Sequence, residues 1–216
     1  MIKTKLHLLK TTLTALFCAS LVACVSPDKG RNLNDPSISG VDIAKQSCSN
    51  CHGLNGQSIS QQFPKLAGQQ LDYIKAQLTD FKGHVRKDIN GTQYMWGITN
   101  LTTKQVEELA VYFSTQPAMK GTGVRGPDFA LGESIFKNGL PSQGVLSCNS
   151  CHGPEALGVA EIPRLAGQHS NYLYKQIMVF KMTDDRPRGQ AMKQIIHNMN
   201  EDQAKAVASY LSYLDL

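Results

Sequence analysis

The feature that most restricts this chain is a five-residue unit written twice: Cys48-Ser49-Asn50-Cys51-His52 and Cys148-Asn149-Ser150-Cys151-His152, each followed by Gly. C-x-x-C-H is the spacing of a c-type haem attachment site. Two thiols add across the porphyrin vinyl groups, and the His on the same turn reaches the iron. A zinc ribbon needs its two C-x-x-C pairs about 15 to 20 residues apart, whereas 96 residues lie between Cys51 and Cys148. A thioredoxin-like redox pair wants a strand before it and a helix opening at it. Here a helix-like stretch leads into each pair and Gly follows. The expectation is two covalently bound haem c groups, attached through Cys48, Cys51, Cys148 and Cys151, with His52 and His152 on the irons.

The units recur because the chain is duplicated at an offset near 100 residues, the mark of tandem domains. Pro64-Lys65-Leu66-Ala67-Gly68-Gln69 returns as Pro163-Arg164-Leu165-Ala166-Gly167-Gln168, and Tyr73, Gln77, Phe81 and Lys82 return as Tyr172, Gln176, Phe180 and Lys181. Each copy reads as all-α. Leu71, Ile74, Leu78 and Phe81 form a helical stripe. A last helix begins at Thr102 with Gln105 in the capping-box position, and its counterpart begins at Asn200 with Gln203. The copies are placed at residues 41–116 and 129–216, with 117–128 as linker.

With 41% hydrophobic and 18% charged residues the composition is that of a soluble globular protein. The net charge of +5 does not mark a nucleic-acid binder. Lys3, Lys5 and Lys10 supply much of it, and removal of residues 1–23 leaves 19 basic against 17 acidic residues. Those 23 residues read as a lipoprotein-type signal peptide: a basic segment, an apolar run from Thr11 to Ala23 too short to span a bilayer, then Cys24. Leu21-Val22-Ala23-Cys24 resembles a lipobox, so Cys24 is expected to carry the lipid that anchors the exported protein to a membrane. Residues 24–40 are expected to be a flexible tether.

An iron held by one His needs its other face accounted for, since a second strong ligand favours electron transfer and an open site favours catalysis. The duplication chooses among the candidates. His84, His169 and His197 have no His counterparts and read as surface polar residues. Met178 and Met182 read as core or haem-packing residues, Met199 as a helix-entry residue, and Met119 lies in the linker. Only Met95 and Met192 correspond, each opening Met-x-x-Ile in a loop before the last helix of its copy, with His197 and Met199 as near competitors of Met192. His/Met ligation leaves substrate no place on the metal, so an electron-transfer protein is expected rather than an enzyme.

On the paired C-x-x-C-H-G motifs, the twin P-[KR]-L-A-G-Q segments, Tyr73 and Tyr172, and the Met-x-x-Ile loops, the chain resembles the dihaem cytochrome c4 family over nearly all of residues 41–216. The resemblance implies two class I cytochrome c domains packed about a pseudo-twofold axis. It also implies a periplasmic carrier of single electrons in a respiratory chain, with a quinol-oxidising complex or another donor on one side and a terminal oxidase on the other. It places Arg86 and Arg186 near haem propionates, against the plainer reading of solvated surface arginines. The alternative function is the cytochrome subunit of a periplasmic oxidoreductase such as a flavocytochrome sulfide dehydrogenase. A haem enzyme with an open iron, such as a peroxidase or thiosulfate dehydrogenase, is the third reading, which Met95 and Met192 do not support. The segment Asn138 to Ser147 has no counterpart in the first copy.

Overall fold

The computed structural model describes residues 33–215, and among them every regular element is helical. In the first copy Ser39 accepts the Asp42 N–H and so caps α1 (Gly40–Ile43), which runs through a π-helical turn, Ala44–Cys48, into α2 (Ser49–His52). It continues with α3 (Leu71–Lys82), α4 (Ile89–Tyr94) and α5 (Thr103–Ser114). The second copy repeats the order as α6 (Phe129–Asn138), α7 (Asn149–His152), α8 (Ser170–Met182), α9 (Gln190–Ile196) and α10 (Glu201–Tyr213). Both expected capping boxes form: Thr102 with Gln105 at α5, and Asn200 with Gln203 at α10, each exchanging two side-chain to backbone bonds.

In each copy the first and middle helices pack on the last, α1 and α3 on α5, α6 and α8 on α10. Ile43, Ile74, Leu101, Leu109 and Phe113 fill the first core, and Ile135, Phe136, Leu173, Val207 and Leu211 the second. The crossings are close because both first helices carry Gly at the contact. A Cβ on Gly40 would stand 2.6 Å from Glu108 Cβ, and one on Gly132 would stand 2.1 Å from the Ala206 carbonyl oxygen.

The expected signal peptide, Cys24 and the expected tether as far as residue 32 lie outside the described residues. From Leu33 the expected tether is already fixed to the first copy: Leu33 and Ile38 pack on its core, and the buried Gln105 amide donates to the Asp35 and Ile38 carbonyls, both at 2.9 Å. Among the described residues no helix is long and apolar enough to cross a membrane. The inserted segment closes on itself through an antiparallel bridge between Leu140 and Val145, with Val145 buried and the Gln143 carbonyl accepting Asn198 Nδ2 at 2.8 Å. It thus braces the turn after α9. The linker is held by both copies, Met119 N donating to the Ala67 carbonyl at 3.0 Å and Thr122 N to the Ser212 carbonyl at 3.1 Å.

Candidate functional site

Each C-x-x-C-H unit makes one turn of helix that Gly53 or Gly153 ends at a φ of +77° or +80°, a conformation open to glycine at little cost. The turn points its His inward. His52 Nδ1 lies 2.8 Å from the Pro64 carbonyl oxygen, and His152 Nδ1 lies 3.0 Å from that of Pro163. A carbonyl can only accept, so Nδ1 carries the proton and Nε2 keeps its lone pair, the arrangement that orients an imidazole for a metal. Burial pushes both pKa values down against that carbonyl bond and keeps the rings neutral, as ligation requires.

The cysteines behave as attachment points rather than as a redox pair. Burial pushes the Cys48 and Cys148 thiols up to about 11, the opposite of the depressed pKa that makes a C-x-x-C reactive. Among the described residues no group of three or more His, Cys, Asp and Glu side chains could hold a bare metal ion. The thiols and imidazole of each unit therefore suit a group that brings its own metal.

Met95 lies in the expected connection between helices, whereas Met192 does not. Met95 is the C-cap of α4, half-buried beside Tyr94, whose ring meets Phe63 edge-on at 5.2 Å; Phe63 in turn meets the His52 ring at 6.3 Å. Met192 lies within α9, half-buried on the same apolar cluster as Cys148 and Leu165. Of its two competitors, His197 is exposed and Met199 is 2% exposed in the second core. Met178 lies on that core as well, Met119 is fully buried, and Met182 is on the surface at 68% exposed, so it fills no core. His84 is exposed and stacks on Trp96 at 4.2 Å.

His169 departs from the surface position expected for it. It is 2% exposed, its Nε2 meets the Ser58 carbonyl oxygen at 2.7 Å, and its Nδ1 is buried without a hydrogen-bond partner. Its counterpart Gln70 makes the matching bond to the Leu157 carbonyl at 2.7 Å. These bonds belong to the expected pseudo-twofold interface, whose residues sequence reasoning did not identify. Gln168 donates to the Lys65 carbonyl and accepts the Lys65 N–H, both at 2.9 Å, while Gln69 donates to the Arg164 carbonyl at 3.0 Å and accepts the Arg164 N–H at 2.7 Å. The twin P-[KR]-L-A-G-Q segments thus dock on each other.

The arginines meet beside them, and the solvated reading fails. Arg86 and Arg186 are 5% and 8% exposed. Arg86 donates to Gln77 Oε1 at 2.8 Å and across the interface to Gln176 Oε1 at 3.2 Å. Arg186 donates to Gln176 Oε1, and across to Gln77 Oε1 at 2.9 Å and the Tyr73 hydroxyl at 3.2 Å. Each guanidinium also lies over a ring of its own copy, Phe81 at 4.5 Å and Phe180 at 4.4 Å. Asp88 is 1% exposed and pairs with Arg86 at 2.5 Å. Burial opposes its ionisation, but Arg86 holds the carboxyl below the usual range. Among the described residues Arg186 has no carboxylate at ion-pair distance, which leaves a buried positive charge suited to an acidic group on the cofactor.

The cytochrome c family model matches residues 38–117 and 129–215, once per copy. The chain belongs to the cytochrome c family. Cytochrome c-552 of Acidithiobacillus ferridurans is 36% identical over 170 residues, 77% of this chain and 73% of that protein. The solved cytochrome c4 of Acidithiobacillus ferrooxidans superposes with a TM-score of 0.73 at 37% identity, covering 77% of this chain and 98% of the other. A thiosulfate dehydrogenase electron acceptor of Thiomonas intermedia (strain K12) is 33% identical over 176 residues, 77% of each chain. This cytochrome is therefore a dihaem protein of the c4 kind, all-α, with two covalently bound haem c groups, one at each C-x-x-C-H motif. It transfers electrons to and from redox partners and is not itself a catalyst.

Proposed function

We propose that the protein is a periplasmic carrier, tethered to a membrane through lipidated Cys24, that relays single electrons from a quinol-oxidising complex or similar donor to a terminal oxidase. When bound, each haem iron supplies a one-electron Fe(III)/Fe(II) couple. His52 and Met95 would hold the first iron, and His152 and Met192 the second. Pro64 and Pro163 fix the His52 and His152 imidazoles, and the buried Arg86 and Arg186 would offer positive charge to acidic groups of the cofactors. The carrying observation is that each motif His bonds to the proline that opens a P-[KR]-L-A-G-Q segment, and these two segments dock on each other, which couples the two attachment units within a single chain. A His and a Met on each iron would suit this role, because such ligation would change little between oxidation states.

The optical spectrum of the purified protein tests the reading, ferric and ferrous, with and without carbon monoxide. Two haems per chain, a methionine-sulfur-to-iron band in the ferric form and no carbon monoxide shift are expected. A carbon monoxide shift in the untreated protein would overturn the closed-iron assignment. The second reading is the electron-accepting subunit of a periplasmic dehydrogenase, favoured by the relative from Thiomonas intermedia. Stoichiometric copurification with a dehydrogenase from native membranes would establish it over the free carrier. Fractionation checks the tether: Cys24→Ser should move the protein from the membrane to the soluble periplasmic fraction.

A further inference from the structure

The interface is nearly symmetric in its hydrogen bonds but not in its charge. Arg86 and Arg186 share the same kinds of partner, an aromatic ring and two glutamines. Among the described residues only Arg86 has a carboxylate at ion-pair distance, with Asp88 accepting from Nε at 2.5 Å and from Nη2 at 3.3 Å. The position equivalent to Asp88 is Arg188, which turns to Asp80 of the first copy at 2.8 Å and to Glu161 at 3.3 Å. The first arginine is thus directly ion-paired with Asp88, while the second feels the same carboxylate only through space.

Asp88 is also joined to the element that carries Met95. Its side chain caps α4 by accepting the Gly91 N–H at 3.3 Å, and Met95 is the C-cap of the same helix. Seven residues at helical rise put the carboxylate roughly 10 Å from that end of the helix. The indole of Trp96, next to Met95, donates to the Arg86 carbonyl at 3.0 Å and ties the same turn to the arginine. In the second copy Gly189 occupies the N-cap of α9 and offers no side chain to the helix that holds Met192.

A buried negative charge stabilises ferric over ferrous iron, and a guanidinium does the reverse. We propose that Asp88 is a potential-setting residue, holding the first haem below the second so that a single electron on the chain resides mainly on the second. The inference rests on the assignment of Met95 and Met192 as ligands. Its positioning element is the α4 cap, and its effect is that of charge.

Asp88→Asn separates the two, because Asn caps a helix as well as Asp does and fills the same space. The full-length holoprotein is titrated electrochemically with optical detection, and NMR signals of the haem methyls assign each midpoint. In Asp88→Asn the first midpoint should rise toward the second, and the preference of the electron for the second haem should fall several-fold, the direction set by the loss of one buried negative charge. Asp88→Glu keeps the charge and should preserve the ordering. An unchanged separation in Asp88→Asn with the sulfur-to-iron band intact would overturn the proposal. So would a changed separation accompanied by loss of that band, which would make Asp88 a cap only. Absence of the band from the unaltered protein would instead overturn the ligand assignment.

Discussion

Gln168 offers the sharpest test of what joins the two copies. Its amide accepts the Lys65 N–H at 2.9 Å and the His169 N–H at 3.0 Å, and donates to the Lys65 carbonyl at 2.9 Å. Gln168 and Lys65 are both buried, so bulk water does not replace the lost amide. Gln168→Ala strands at least the Lys65 N–H and carbonyl. A buried polar group left without its partner costs about 1–3 kcal/mol, so the expected loss for two groups is about 2–6 kcal/mol. That is a large share of the roughly 5–15 kcal/mol that holds a domain folded. Guanidinium unfolding of the holoprotein, followed by circular dichroism and haem absorbance, reads it directly. Gln69→Ala, the twofold mate, should lose a similar amount, and the double variant less than the sum because both truncations open one interface. Losses below about 0.5 kcal/mol in both single variants would refute the reasoning and move the stability of the interface to the arginine cluster.

Three other outcomes are expected. Met95→Ala should let carbon monoxide bind half of the ferrous haem and remove about half of the ferric sulfur-to-iron absorbance. Gly132→Ala should destabilise the second copy by about 3 kcal/mol in thermal unfolding, because the added carbon meets backbone at 2.1 Å rather than the end of a flexible side chain. The pKa of His169 is lowered from 6.5 by burial and the nearby Lys65, against the bond to the Ser58 carbonyl. The unfolded chain therefore binds the proton more readily, so the contribution of His169 to stability is present above about pH 6.5 and is lost as pH falls below it. His169→Gln, copying Gln70, should flatten the pH dependence of unfolding between pH 7 and 5 relative to the unaltered protein.

The parts of this fold that repeat were the parts readable from sequence. The helical stripe of α3, the capping boxes at Thr102 and Asn200 and the two C-x-x-C-H turns each rest on interactions within a few residues, and each formed where its pattern placed it. His169 was misread because comparison with Gln70 asked only whether both were histidines. The two share a role as donors to a carbonyl across the interface, and imidazole and amide serve it equally. Gln69 and Gln168 could have been suspected, since a glutamine repeated in an apolar segment needs a partner that its own copy does not offer. Arg86 and Arg186 could not be placed from sequence, because their burial depends on how the copies meet. The loop expected around Met192 became helical, since Gln190 to Ile196 has good helix formers and an apolar stripe at Met192, Ile195 and Ile196.

In the paired glutamines, residue i of one copy meets residue j of the other and j meets i, the form of contact found in a dimer of identical subunits. Peptide continuity through residues 115–128 changes what such a contact can do. Two separate subunits must find each other at their cellular concentration, whereas a short link holds the halves at an effective concentration in the millimolar range, so a modest polar contact suffices. The link also frees the halves from being identical. In a symmetric dimer any residue placed beside one cofactor stands beside both, and neither site is downhill of the other. Here aspartate stands at position 88 and arginine at 188, histidine at 169 and glutamine at 70. A single covalent chain can therefore give an electron a preferred direction, which a perfect twofold axis forbids.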